Sequence, residues 1–247
     1  MPPKDLFSGH SKQYATFRPT YPDQLYQFLF QHVPNKGRAW DCATGNGQVA
    51  RHLSTCFQEV QATDISPQQI EQAFQATNIH YAVCTAEKTS FPDHSFDLIT
   101  VGQALHWFDQ AKFFDEVKRV GKPESILAVW GYALLFIDTP IDAIILDFYH
   151  NTVGPYWDVA RRQVEAEYKT VAFPFSEITA PSFAIEVPWS LQHLTGYLES
   201  WSATQKYIKA KGSNPVAAVL QQLHSFWKKD ELKLVRFPVF MRMGRVE

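Results

Sequence analysis

Ala39-Trp40-Asp41-Cys42-Ala43-Thr44-Gly45-Asn46-Gly47 is the stretch on which the reading of this 247-residue chain turns. Its first residues fit a short buried strand, and its glycines fit a turn that opens a helix. Gly45 permits a tight turn, and Gly47 is expected to let main chain approach a ligand with no Cβ in the way. Asp41 sets the stretch apart. A carboxylate at a strand tip suits a ligand that carries a cation, and it is out of place where a pyrophosphate must dock. Gly45, Gly47 and Ala50 nevertheless fit the spacing G-x-G-x-x-G/A, and Asp64 lies about where a ribose-binding acid is expected, so the glycines alone leave a dinucleotide in contention.

Composition frames the rest. Hydrophobic residues make up 45% of the chain and charged residues 19%, the balance of an ordinary globular protein. The 15% of aromatic residues point to a large core or a roomy apolar pocket. A formal charge of -2 offers no overall attraction to nucleic acid or to an anionic membrane. Cys42, Cys56 and Cys84 stand far apart with no C-x-x-C, which supports neither a disulfide framework nor a thiolate zinc site and leads to the expectation of a reduced, cytoplasmic setting. The longest apolar run, Ile126 to Ile137, is too short to span a bilayer, and no apolar leader is visible near Met1. Neither a membrane nor nucleic acid is expected as a partner.

From Trp40 to Trp130 strand-like and helix-like stretches alternate, the pattern of a parallel sheet with helices on both faces. Val49, Leu53 and Phe57 recur at four-residue spacing after Gly47, which is one helical face. Glu59 to Thr63 reads as a second strand, Ser66-Pro67-Gln68-Gln69 as a capped helix start, and Ile79 to Val83 and Phe96 to Val101 as the next two strands. Asp109 caps a helix ending at Gly121, and Ser125 to Trp130 supplies a fifth strand. Helices at Pro140 to His150 and Pro155 to Lys169 then interrupt the alternation. A strand at Phe183 to Trp189, helices at Ser190 to Tyr207 and Asn214 to Lys228, and a strand from Leu234 to Val246 follow, with a bulge or edge geometry expected at Pro238.

In an open α/β sheet, ligands bind beyond the carboxyl ends of the strands. Four strands deliver notable residues there: Asp41 to Gly47, then Asp64, then Ala86-Glu87, then Gln103 to Trp107. A carboxylate at Asp64 can accept both hydroxyl hydrogens of a ribose, where the plainer reading is a turn Asp before Ser66. With Asp41 beside them, these residues favour S-adenosylmethionine.

The chain resembles the class I S-adenosylmethionine-dependent methyltransferases, of the methyltransferase type 11-like group, in the branch of trans-aconitate methyltransferase-like proteins. The resemblance rests on Tyr14-Ala15-Thr16-Phe17-Arg18-Pro19-Thr20-Tyr21-Pro22, the Asp41 to Gly47 turn, Asp64, Ala86-Glu87, and the run from Phe96 through Gln103-Ala104-Leu105-His106-Trp107 to Asp109. It implies a Rossmann-like α/β fold: a seven-stranded, mostly parallel sheet with its last strand antiparallel, helices on both faces, and a helical insertion after the fifth strand. It also implies one domain over residues 1–247, with a lid segment at 1–35, a cofactor-binding core at 36–130, a substrate insertion at 131–181 and completing elements at 182–247. Asp41, Gly45 and Gly47 are the implied contacts at the methionine end, Asp64 at the ribose, Ala86 and Glu87 near the adenine, Gln103 a further cofactor contact, and Tyr14 to Arg18 the lid. Thr85 departs from the pattern, since many members carry an Asp there.

Methyl transfer from a sulfonium needs an aligned, desolvated nucleophile more than it needs an acid or base. Aromatic faces suit a cationic sulfur, which makes Trp107 and Tyr14 wall residues. His106 is the catalytic candidate, orienting the acceptor or taking its proton; its plainer reading is a hydrogen-bonded packing residue. Tyr132, Trp157 and Arg161 are the candidates for the acceptor. A carboxylate acceptor is already ionised at neutral pH and needs only an arginine, Arg161 or Arg18, to orient it. Methyl transfer to a small molecule, such as a carboxylic acid, is therefore the expected activity. RNA methylation is the first rival, because Lys and Arg are frequent after Lys206; a nicotinamide oxidoreductase and a catalytically silent binder are the others. The scattered histidines, and Gln103 where a metal-binding acid would be useful, speak against a metal-assisted route.

Overall fold

Helix α1 (Asp23–Gln31) buries Leu25, Tyr26 and Leu29 along one face. The structure is a computed structural model in which residues 17–247 are described, so Tyr14 and the rest of the expected lid before Phe17 lie outside the described residues. Strand β1 (Arg38–Cys42) is almost wholly buried. It breaks into a turn in which Ala43, Gly45 and Gly47 have φ of 55°, 56° and 79°, and Gly47 leads into α2 (Gln48–Leu53). Then come β2 (Glu59–Asp64), α3 (Pro67–Glu71, capped by Ser66), β3 (Ile79–Val83) and β4 (Phe96–Gly102). Helix α4 (Gln110–Val120), capped by Asp109, passes with no loop into β5 (Gly121–Tyr132), so that strand starts before the expected Ser125.

These five strands are parallel, in the order β3-β2-β1-β4-β5. With both faces covered, their central members read as nearly unbroken apolar runs. Alternate residues feed opposite cores: Ala39 joins Leu98, Ala128 and Trp130 on one side, and Trp40 joins Ile99, Leu127 and Val129 on the other. The Trp40 indole N–H donates to the Thr63 hydroxyl at 2.9 Å, which satisfies its one polar atom inside the core.

After β5 the chain forms α5 (Thr139–Asp147), a π-type turn (Phe148–Thr152), a 3-10 turn (Gly154–Tyr156) and α6 (Arg161–Glu165). The long helix expected over Pro155 to Lys169 is absent, because Trp157 is extended and the left-handed Glu167 and Tyr168, with φ of 53° and 56°, follow α6. Strand β6 (Ser176–Ile178) is an eighth strand that the sequence did not announce; three residues carry no readable period. Strand β7 (Phe183–Trp189) follows. The single helix expected from Ser190 to Tyr207 is two, α7 (Leu191–Glu199) and α8 (Ser202–Lys211). Trp201 splits them, taking an extended conformation that packs its ring against Phe148, Tyr149, Trp157 and Tyr197. Helix α9 (Val216–Leu223) is shorter than expected and leads toward β8 (Lys233–Arg245).

Strand β8 lies antiparallel against β5, from Tyr132 opposite Val239 to Ile126 opposite Arg245. Its other edge carries β7 and β6 in succession. Pro238 makes no bulge: it pairs in register with Ala184, and its carbonyl accepts from the Ala133 N–H at 2.8 Å, just past the last pair with β5. The missing N–H therefore falls where that ladder has already ended. Among the described residues no helix is long and apolar enough to cross a membrane.

Gly131, near the end of β5, has no room for a side chain. A Cβ there would stand 2.3 Å from Gln103 Oε1 and 2.6 Å from Phe240 Cζ. Gln103 has little freedom to yield, because its amide holds both the N–H and the C=O of Tyr132. Gly131→Ala is expected to cost about 1–3 kcal/mol, the usual range for overpacking, and to lower the melting temperature by several degrees. An unchanged melting temperature would show that Gln103 is not held as described.

Candidate cofactor and acceptor site

Asp41 is buried at the tip of β1 and accepts three hydrogen bonds. The Thr44 hydroxyl (2.5 Å) and the Ala50 N–H (3.0 Å) reach Oδ2, and the Thr100 hydroxyl (3.0 Å) reaches Oδ1. One carboxylate thus ties the turn, the first part of α2 and β4 to the end of β1. Burial raises its pKa to about 7, against the pull of those donors, and the neighbouring Asp64 charge adds to the rise.

Both glycines have the positive φ that the turn requires, and they differ in the space around them. A Cβ on Gly47 would come within 2.3 Å of the Tyr81 hydroxyl, so packing as well as the positive φ demands glycine there. At Gly45 a Cβ would meet only Gln69 Oε1, at 3.9 Å, so Gly45 is the residue that leaves open space before the turn. Asp64 locks the same turn from the next strand, accepting the Gly45 N–H through Oδ2 and the Ser66 N–H through Oδ1, each at 2.9 Å.

Arg18, Tyr21, Asp41, Gly45, Gln103 and Tyr132 share the lining of a cavity of about 100 Å³, several times the room one water needs. Arg18 donates to the Tyr132 hydroxyl at 2.8 Å, and its guanidinium lies 5.4 Å from the centre of the Tyr197 ring. Asp64, Gly47, Ala86 and Glu87 lie outside that lining. Ala86 is buried in the core on the far face, and Glu87 accepts the Asp109 N–H at 3.0 Å, which fixes the start of α4.

Of the acceptor candidates Tyr132 lines this cavity, and His106, Trp107, Trp157 and Arg161 lie outside its lining. His106 sits in a single 3-10 turn (Leu105–Trp107) after β4, buried, with Nδ1 3.0 Å from the Tyr168 hydroxyl and its ring 4.5 Å from that of Trp107. Burial, reinforced by the Arg161 cation and opposed by Asp158, pushes its pKa down to about 3. The imidazole is therefore neutral at physiological pH. Arg161 donates from Nε to the Tyr149 hydroxyl at 3.1 Å, and its guanidinium lies 5.0 Å from the centre of the Trp157 ring. Its charge acts on His106, Tyr149, Tyr168 and Tyr197, and Tyr197 feels Arg18 as well. Tyr168, Tyr197 and Thr100 were not among the sequence candidates. Thr100 is found only through the strand register that sets it beside Asp41, and the two tyrosines only through tertiary packing.

A parallel sheet with antiparallel final strands, a left-handed glycine turn after β1 and an acid at the end of β2 define the class I methyltransferase architecture. Residues 40–129 match the model of the methyltransferase domain family. A Dictyostelium discoideum protein described as a methyltransferase is 34% identical over 98% of this chain and 95% of its own length. The methyltransferase CfoB of Aspergillus candidus is 27% identical, over 70% of this chain and 64% of that protein. A solved structure described as a type II methyltransferase from Anaeromyxobacter dehalogenans is 36% identical with a TM-score of 0.87, covering 94% of this chain and 99% of that one. The chain belongs to the class I S-adenosylmethionine-dependent methyltransferases.

The protonation of Asp41 sets a testable pH dependence. An unfolded Asp releases its proton near pH 4, whereas folded Asp41 keeps its own to about pH 7. Between those values the folded state binds more protons, so this group makes stability fall as pH rises, with no further change above the window. The melting temperature of the ligand-free protein is expected to drop more steeply from pH 4 to pH 7 than that of Asp41→Asn. Equal slopes in the two proteins would place the proton elsewhere.

Proposed function

We propose that this methyltransferase acts on a small carboxylic acid and forms its methyl ester. Arg161 carries the reading: it is a half-buried cation held against Trp157 and Tyr149, with no ion pair among the described residues. A planar guanidinium so placed suits a carboxylate, which it meets through two parallel N–H donors. The resemblance of the Tyr14 to Pro22 and Phe96 to Asp109 stretches to the trans-aconitate branch supports the same acceptor class. The slightly acidic chain supports a small molecule over RNA, and its free cysteines are compatible with the cytoplasm.

Two features of the turn support S-adenosylmethionine as the cofactor. Space opens at Gly45, and the Asp41 carboxylate lies in the cavity lining, where a ligand ammonium would relieve the cost of its burial. Asp41, the main chain of Gly45 and Gly47, and Gln103 would hold the methionine end; Asp64 the ribose; Ala86 and Glu87 the adenine; and Tyr14 with Arg18 the cover. When bound, S-adenosylmethionine supplies a methyl group on a cationic sulfur. Arg161 fixes the acceptor carboxylate, which arrives ionised and needs no base. Trp157 and Tyr149 hold the guanidinium plane, and His106, Trp107 and Tyr132 complete the acceptor walls.

Two measurements bear on this reading. Calorimetry should show S-adenosylhomocysteine binding to the parent, and Asp64→Ala should weaken it by about 1.5–3 kcal/mol, the worth of charge-assisted hydrogen bonds. Unchanged affinity removes Asp64 from the ribose role. A screen of small mono-, di- and tricarboxylic acids with labelled methyl donor should yield base-labile methyl esters, and Arg161→Gln should raise KM for the acid about tenfold or more while leaving S-adenosylhomocysteine affinity intact. Methyl transfer confined to amines, catechols or RNA overturns the carboxylate assignment.

A further inference from the structure

We propose that Tyr168 is a positioning residue that fixes His106 as its Nε2–H tautomer, so that the imidazole meets the methyl acceptor as a hydrogen-bond donor and not as a base. The inference deepens the carboxylate reading and rests on it for the identity of the acceptor.

The argument is an accounting of protons. Tyr168 is fully buried, and its hydroxyl has one proton to give. The main-chain N–H groups of Leu105 and His106 act on the same oxygen, and an N–H can only donate. His106 Nδ1, at 3.0 Å, is the acceptor that the described residues offer that proton. Nδ1 accepts only when it carries no hydrogen, which puts the single proton of a neutral imidazole on Nε2. Neutrality follows from burial and from the Arg161 charge, which together outweigh Asp158. Nε2 makes no hydrogen bond among the described residues and is not one of the unpartnered side-chain atoms sealed from solvent, so it remains reachable.

The chain goes to some length to deliver that hydroxyl. Glu167 and Tyr168 are consecutive non-glycine residues in the left-handed region, with φ of 53° and 56°. The Tyr168 N–H donates back to the Gln163 carbonyl at 2.8 Å, and Arg242 Nη1 donates to the carbonyls of Tyr168 (3.0 Å) and Val171 (2.6 Å). Arg242 is itself held by Glu177 at 2.6 Å, and Phe240 stands edge-on to the Tyr168 ring at 5.2 Å. Main chain, guanidinium and ring packing all converge on the placement of one phenol. A donor fixed in this way matches an acceptor that brings its own negative charge.

Long-range 15N–1H spectra of the histidine side chains of the protein, with and without S-adenosylhomocysteine, read the tautomer directly. The parent should show His106 as a single neutral Nε2–H species from about pH 6 to 8.5, with turnover of a methylated acid flat over the same range. Tyr168→Phe should give mixed tautomers and turnover lower by about tenfold or more, with S-adenosylhomocysteine affinity held within about threefold to show that the fold persists. His106→Gln, which keeps an N–H donor but no base, should outperform His106→Ala. An Nδ1–H tautomer in the parent, an unaltered tautomer in folded Tyr168→Phe, or no advantage of Gln over Ala each overturns the proposal. If no acid is methylated at all, the carboxylate reading fails and the tautomer spectra still decide the role of Tyr168.

Discussion

A carboxylate taken out of water must find donors or give up its charge. Asp41 does part of each. Its three donors come from three separate pieces of chain, the turn at Thr44, helix α2 at Ala50 and strand β4 at Thr100, so the bonds form together only when β1 and β4 are in register and the turn is closed. The left-handed Ala43 belongs to that closure, and it is a conformation a non-glycine residue adopts only when its surroundings insist. The rise of the Asp41 pKa to about 7 measures how far the donors fall short of full compensation. That shortfall is located in the wall of the cavity, where a positively charged ligand group is of most use.

Around this point the rest is arranged as successive locks. Asp64 pins the turn from β2, and Gln103, itself left-handed, clamps the main chain of Tyr132 so that β4 and β5 end side by side. Tyr132 then offers its hydroxyl to Arg18, which brings the start of the described chain to the same place. Farther out, Trp201 and its aromatic neighbours hold the segment that presents Trp157 and Arg161. Each lock uses a polar group already committed to the protein, whereas Arg161 is held by two rings and a hydroxyl and makes no ion pair among the described residues.

The parallel half of the sheet was legible because its signals are local. Asp41 through Gly47 combines a strand, a turn and a helix start in nine residues, and Ser66-Pro67 and Asp109 cap their helices as their chemistry requires. What was illegible depends on partners remote in sequence. Among the described residues strand β6 is defined by β8 alone, the break at Trp201 by rings from three other segments, and the quiet Pro238 by where β5 happens to stop. The same division runs through the site. Asp41, Gly45 and Gln103 fall on the cavity because strand ends put them there, whereas Tyr168 reaches His106 through two left-handed residues that no periodicity reveals. The packing demand on Gly47 is likewise set by Tyr81, a side chain from another strand.

The placement of β8 also bears on how the chain is made. Among the described residues strands β6 and β7 pair with no strand other than β8, and β5 has β8 as its outer neighbour, so residues 233–245 complete three ladders at once. On the ribosome the parallel strands can pair as they emerge, while β5, β6 and β7 remain open edges until that last stretch arrives. From the synthesis of Trp189 until that of Arg245 all three edges wait together, and helices α7 to α9 are made in that interval.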